Sequence, residues 1–128
     1  MPLQDGVKRA ARATGAHRVT TRPSTRRVEV VSDGQVLAVS ERAIELDETG
    51  LPTRYYLPRD DIRMELLSPS TTTSYCPFKG HATYFSAPGA PDAFWVYEEP
   101  SEEEALPVAR MLAPWPGRVE VRVDGEPV

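Results

Sequence analysis

The sequence predicts a mainly β fold: a compact antiparallel domain, barrel-like or tent-like with two sheets, and one short helix. Apolar and polar residues alternate over short segments, which is the period of a strand with one buried face. Glycine or proline separates these segments about every eight to twelve residues, a spacing typical of barrels and packed sheets. The 128 residues suit one domain with a core of its own.

A β-hairpin opens the predicted domain. The valine-rich segments 28–31 and 35–40 are joined by Ser32-Asp33-Gly34, and Asp-Gly between two apolar segments is a strong hairpin signal. The same alternation predicts further strands at residues 44–47, 53–57, 62–66, 72–76, 81–86, 94–98 and 119–123.

Helical character is confined to residues 101–111. Ser101 followed by Glu104 is the pattern of a capping box, and acidic residues suit the positive end of a helix. Pro107 limits this helix, because proline lacks a backbone donor. We expect a single turn at 102–106 or two pieces kinked at Pro107.

The charge of the chain is divided unevenly. Residues 1–27 hold seven basic residues and one acidic residue, a net charge of +6, whereas the remainder carries −10. We therefore predict a flexible basic arm over residues 1–24 and a single β domain over 25–128. The arm is a solubilising extension, a weak contact for nucleic acid, or a contact for an acidic partner. The acidic body itself does not favour nucleic-acid binding.

Composition also bears on location and cofactors. No apolar run is long enough for a membrane helix, and the first residues lack the apolar stretch of a secretory signal. One cysteine cannot form an internal disulfide, so we expect a cytoplasmic protein. One Cys and two His are too few for a structural zinc site, and we expect no metal and no cofactor.

The segment Cys76-Pro77-Phe78-Lys79-Gly80 holds the rarest reactive residues. A thiol beside Lys79 could act as a nucleophile, which makes Cys76 and Lys79 the candidate catalytic residues. Equally, Cys76 could be buried and inert, with Lys79 pointing to solvent. Gly80 would permit close approach of a ligand to the backbone.

Aromatic residues concentrate around the same segment. On a strand, Trp95 and Tyr97 share one face and Phe94 the other. Trp95, Tyr97 and Tyr84 either line a ligand pocket or form the core. The adjacent Tyr55 and Tyr56 must point to opposite faces, so at most one of them, Tyr56 in the predicted set, lines such a pocket.

Three motifs carry a resemblance to a known family: Tyr55-Tyr56-Leu57-Pro58 before an acidic pair, the Cys76–Gly80 segment followed by Tyr84, and Trp95-Val96-Tyr97 before Pro100. In this order they resemble the bacterial domain-of-unknown-function family 427, over about residues 26–125. The resemblance implies a compact, mostly antiparallel β domain, and the family carries a nucleotidyltransferase-like label. That chemistry needs converging carboxylates, and no spacing in this sequence indicates them. Residues 112–116 depart from the usual aromatic-rich run and are expected to alter one wall of any pocket.

These observations favour a domain that binds a small polar or anionic molecule near the Cys76–Gly80 segment. The predicted ligand-binding residues are Tyr56, Arg63, Cys76, Lys79, Gly80, Tyr84, Trp95 and Tyr97, with Arg63 as a partner for an anion. Two alternatives stay open: an enzyme, either nucleotidyltransferase-like or dependent on Cys76 and Lys79, and an interaction module that uses the basic arm. Oligomeric state is not predicted.

Overall fold

The computed structural model describes residues 17–128. The strands of this part are β1 (Val19–Pro23), β2 (Val28–Ser32), β3 (Gln35–Ser40), β4 (Ile44–Glu48), β5 (Arg54–Tyr56), β6 (Ser68–Cys76), β7 (Gly80–Ala87), β8 (Ala90–Val96), β9 (Leu112–Pro114), β10 (Glu120–Val123) and β11 (Glu126–Pro127). Three short 3₁₀ helices lie at Arg59–Asp61, Met64–Leu66 and Glu103–Val108.

The strands form three antiparallel sheets. Sheet I has the order β1-β4-β5, sheet II the order β11-β10-β2-β3, and sheet III the order β6-β7-β8-β9. Leu57 and Leu112 exchange backbone hydrogen bonds of 2.8 and 3.0 Å, which join sheet I to sheet III. Within residues 17–128 the sheets do not close into a barrel. The mainly β antiparallel class is confirmed, with three sheets of which two are joined at their edges.

Two clusters of buried side chains form the core. The main cluster is mostly aliphatic and includes Val28, Val30, Leu37, Phe94 and Leu112, each at most 1% exposed. The second, which we call the aromatic cluster, contains Tyr56 and Tyr97 with smaller apolar residues, and the partly buried Tyr84, Trp95, Cys76 and Phe78 pack against it.

Because side chains alternate between the two faces of a strand, β8 and the residue after it contribute to both clusters. Along β8, Phe94 and Val96 enter the main cluster, whereas Trp95 and the following Tyr97 join the aromatic cluster. Tyr55 and Tyr56 divide between the two clusters in the same way. Both divisions confirm the prediction from the period of two.

The hairpin β2–β3 is also confirmed. Its two turn residues, Asp33 and Gly34, have φ angles of 51° and 76°, as the two central residues of a type I′ turn require.

The structure places a strand within the predicted arm. Residues 1–16 of the predicted arm lie outside the described residues, but Val19–Pro23 at its end form β1 and pair with β4. Arg22 on β1 forms ion pairs with Glu45 and Asp47 on β4. The positively charged segment that was interpreted as an arm therefore includes strand β1, which pairs with the acidic strand β4.

The prediction of a strand at residues 62–66 is wrong. Local turns replace it, because Leu66 N donates to Arg63 O and Leu67 N donates to Met64 O, at 3.0 Å each. Only Ile62 keeps a strand-like pairing, an isolated bridge to Ala38 of sheet II.

The predicted helix is present as a 3₁₀ helix, Glu103–Val108. The prediction of a capping box at its start is wrong. Glu102 occupies the N-cap position without a side-chain capping bond, and Ser101 N donates to Lys79 O at 3.1 Å. Pro107 lies inside the helix and interrupts none of its backbone hydrogen bonds, because these run from Ala105 N to Glu102 O and from Ala109 N to Leu106 O. None of the helices among residues 17–128 is long and apolar enough to cross a membrane.

Candidate functional site

A cavity of about 180 Å³ lies where sheets I and III join. Its walls come from the end of β4 and the turn that follows, from β5, from the turn before β7, and from β7, β8 and the segment after β9. The lining residues are Glu48, Leu51, Pro52, Arg54, Tyr56, Lys79, Tyr84, Trp95, Tyr97 and Trp115. Five of these ten residues are aromatic, which is typical of a site for a small organic molecule.

Trp95 packs edge to face against two other rings of the cavity wall. Trp95 stands nearly perpendicular to Tyr56, with ring centroids 6.0 Å apart, and to Trp115, with centroids 5.6 Å apart. Trp95 Nε1 donates a 2.9 Å hydrogen bond to the Tyr56 hydroxyl. Tyr84 approaches Trp115 at 6.3 Å. Perpendicular pairs of this kind add stability beyond apolar burial, so the rings form a preorganised wall.

Two arginines flank the tryptophans. The Arg54 guanidinium carbon is 5.7 Å from the centre of the Trp95 ring, and the Arg118 guanidinium carbon is 3.6 Å from the centre of Trp115. Arg118 also donates to the Asp92 carbonyl at 3.1 Å. Arg54, which is half-buried and lines the cavity, has no carboxylate partner within residues 17–128. Its charge is therefore available to a bound molecule.

A buried ion pair forms another part of the wall. Lys79 Nζ donates to Glu48 Oε1, and both side chains are less than 10% exposed. His17 Nε2 lies 2.9 Å from the other oxygen, Glu48 Oε2, and the His17 ring stacks on Phe78 with centroids 3.8 Å apart. Charged groups so deeply buried need partners, and here each carboxylate oxygen of Glu48 has one.

The hairpin turn between β6 and β7 positions Lys79. Lys79 N donates to Cys76 O at 3.1 Å, closing the turn, and Gly80 follows with a φ angle of 122°. A Cβ atom at Gly80 would lie 2.9 Å from Ser101 N, so this position requires glycine. The backbone that approaches Gly80 closely is that of Ser101.

Burial raises the pKa of two tyrosines in the wall, Tyr56 and Tyr97. Loss of solvent raises the pKa of Tyr56 well above its ordinary value, and the hydrogen bond from Trp95 opposes this rise only in part. Loss of solvent likewise raises the pKa of Tyr97, with nearby Tyr56, Cys76 and Glu48 adding to the effect. Both phenols keep their protons at neutral pH and can donate hydrogen bonds.

The structure brings five of the predicted ligand-binding residues together in the cavity wall: Tyr56, Lys79, Tyr84, Trp95 and Tyr97. Three others lie elsewhere. Cys76 is half-buried against the aromatic cluster, Gly80 is held against Ser101, and the exposed Arg63 pairs with Glu65. Arg63 lies between two 3₁₀ helices and follows Ile62, which forms a bridge to Ala38 of sheet II. The cavity lies instead where sheets I and III join, so Arg63 is not placed to meet an anion there.

Sequence reasoning missed three charged or aromatic lining residues, Glu48, Arg54 and Trp115. Trp115 lies within the segment that departs from the family pattern and was expected to alter a pocket wall. Arg54 precedes the Tyr-Tyr pair on the same short strand, and its alternation with Tyr56 was the available signal. Glu48 had no such signal, because its partner Lys79 is 31 residues away in the chain.

These features define a small all-β domain with a cavity walled by aromatic rings and a buried ion pair. The model of the family described as Domain of unknown function (DUF427) matches residues 20–125, and the chain belongs to this family. The matched range contains every residue that lines the cavity, whereas His17 precedes it. No curated protein matches the chain. Across residues 17–128, no three His, Cys, Asp or Glu side chains gather in a group that could hold a metal ion.

Proposed function

We propose that the protein binds a small polar or anionic molecule in the aromatic cavity. The observation that carries this proposal is the combination of five rings with an arginine, Arg54, that has no carboxylate partner in the described part of the chain. Apolar walls with a few convergent polar groups are characteristic of small-molecule sites. The lone free thiol, Cys76, supports a reducing compartment, and the proposal places the protein in the cytoplasm.

The enzyme alternative has weaker support. Lys79 lies in the wall, but its amine is engaged by Glu48. Cys76 packs against the aromatic cluster and is not among the cavity-lining residues. The interaction-module alternative depends on the predicted arm over residues 1–24; residues 1–16 of it lie outside the described part of the chain, and Val19–Pro23 form β1.

A thermal-shift screen of nucleotides, sugars and small acids tests the proposal. The informative variant is Leu51→Trp, because Leu51 is 53% exposed at the cavity and a larger ring there would fill the space without disturbing the core. The matched control is Val36→Trp, since Val36 is 42% exposed on sheet II, away from the cavity. Ligands stabilise only the folded state, so binding raises the melting temperature.

We expect a compound that stabilises the wild type to stabilise Val36→Trp equally and Leu51→Trp much less. A compound that stabilises all three proteins equally binds outside the cavity and contradicts the proposal.

A further inference from the structure

We infer that the ligand of the aromatic cavity is a single planar ring that carries one carboxylate group. This inference rests on the proposed function and narrows it to a chemical class. It follows from the charge balance of the cavity, the hydrogen-bond donors in its wall and its size.

The charge balance favours a monoanion. Three charged residues line the cavity: Glu48, Arg54 and Lys79. Glu48 and Lys79 neutralise each other in a buried pair, which leaves Arg54 with one uncompensated positive charge. A cationic ligand would be repelled by Arg54, and a dianion would carry one negative charge more than Arg54 balances.

The available donors suit a carboxylate. Arg54 is held near the face of Trp95, and its N–H groups lie in the plane of the guanidinium, where they can bind two oxygens side by side. The Tyr97 hydroxyl forms no hydrogen bond within residues 17–128. Its phenol stays protonated because burial raises its pKa, so it is a second donor for an anionic oxygen.

The cavity size and the rings limit the rest of the ligand. A cavity of about 150 Å³ accommodates benzene, and this one measures about 180 Å³. One six-membered ring with a small substituent therefore fits inside the cavity, which is smaller than the sites of about 300 Å³ or more that hold drug-sized ligands. The ring edges and faces of Trp95, Trp115 and Tyr84 favour a flat aromatic partner over a saturated one.

The test is calorimetric titration of the full chain with four probes: benzoate, its neutral analogue benzamide, its cationic analogue benzamidine, and the saturated cyclohexanecarboxylate. We expect benzoate to bind at least tenfold more tightly than benzamide and benzamidine, because a hydrogen-bonded charge pair contributes about tenfold or more in affinity. Cyclohexanecarboxylate keeps the charge but lacks the flat aromatic ring, so we expect it to bind about two- to tenfold more weakly than benzoate.

Variants assign the contacts. Arg54→Met should weaken benzoate binding at least tenfold and remove the preference over benzamide. Arg63→Met is the matched control, since Arg63 is exposed and outside the cavity, and should leave binding unchanged. Tyr97→Phe should weaken benzoate binding by a smaller factor, with circular dichroism confirming that each variant is folded.

Two results would overturn the inference. In the first, benzamide binds as tightly as benzoate, or Arg54→Met binds benzoate normally, while Leu51→Trp abolishes binding; the proposed function then stands and only the ligand class is wrong. In the second, none of the four probes binds, so the ring-carboxylate class is wrong, and the wider thermal-shift screen decides the proposed function separately.

Discussion

The two buried clusters of this domain are built from different kinds of residue. The main cluster between sheet II and the joined sheets is largely Val, Leu and Ala. The aromatic cluster instead surrounds the cavity with tyrosine and tryptophan, beside the buried Glu48–Lys79 pair. Aliphatic packing of the first kind stabilises a fold at little cost in polar desolvation.

A buried ion pair is seldom the most stabilising choice for its position. Apolar residues of similar volume often stabilise a protein as well or better, because two charges lose their hydration on burial. The charged pair beside the aromatic cluster therefore stands where apolar residues of similar volume are often as stabilising. The proposed binding function accounts for this difference: the main cluster serves the fold, and the aromatic cluster would hold the ligand.

Substitutions at two neighbouring residues of β8 test this difference most directly. Phe94→Ala should lower the free energy of unfolding by about 3–5 kcal/mol, because Phe94 is fully buried in the main cluster. Trp95→Ala should cost less, since Trp95 is only partly buried. Urea denaturation measures both effects.

Ligand binding should follow the opposite order. Benzoate affinity should survive in the folded Phe94→Ala protein and be lost in Trp95→Ala. If Phe94→Ala abolishes binding and Trp95→Ala preserves it, the assignment of roles to the two clusters is wrong.

The buried pair should behave differently from a surface pair. Lys79→Met leaves the Glu48 carboxylate buried, and we expect it to cost about 3 kcal/mol, the low end for a broken buried pair, because His17 stays beside Glu48. The double variant Lys79→Met with Glu48→Gln should recover much of this loss. Chemical denaturation of the full cycle measures the coupling.

The exposed pair Arg63–Glu65 is the control for that cycle. Both of its side chains are more than half exposed, so the same substitutions, Arg63→Met and Glu65→Gln, should show a coupling of at most about 1 kcal/mol. Equal coupling in the two pairs would contradict the role given to the burial of the Glu48–Lys79 pair.

The adjacent tyrosines of β5 give a smaller contrast. Tyr56→Phe removes the acceptor for Trp95 Nε1 and should cost about 1 kcal/mol, because the indole donor is left partly buried without a partner. Tyr55→Phe should be nearly neutral, since the Tyr55 hydroxyl has no hydrogen-bond partner within residues 17–128. Thermal unfolding of the two variants compares them directly, and equal losses would contradict the role given to the Tyr56 hydroxyl.

The sequence was informative wherever a local pattern determines the structure. The period of two correctly assigned Phe94 and Trp95 to opposite faces, and Asp33-Gly34 marked the first hairpin. The same pattern failed at residues 62–66, because three alternating apolar residues can also face the core from two short 3₁₀ turns.

Contacts between distant segments could not be predicted in this way. Glu48 meets Lys79 only because sheets I and III join at Leu57 and Leu112, and no local pattern encodes that join. Strand β1 was missed for another reason: Val19, Thr20 and Thr21 are β-branched and favour a strand, but the surrounding basic residues suggested an arm. The acidic partner strand that offsets this charge lies more than 20 residues further along.

Acid stability supplies the smallest contrast, at a surface pair beside sheet II. Arg42 donates to both carboxylate oxygens of Asp61, and Ser40 adds a third hydrogen bond at 2.7 Å; the bonds from Arg42 contribute most to lowering the pKa of Asp61. A carboxylate with a lowered folded-state pKa stabilises the protein above its unfolded-state value of about 3.9, and this stabilisation is lost as the pH falls through the folded-state value.

Asp61→Asn should therefore reduce stability by less than about 1 kcal/mol at pH 7, since Arg42 is largely exposed, and make the acid-induced loss of stability shallower. Urea denaturation at several pH values between about 7 and 2 measures this slope. The neighbouring Asp60→Asn is the control, and an equal change in slope for both variants would show that net charge, rather than the Arg42–Asp61 contact, sets the acid sensitivity.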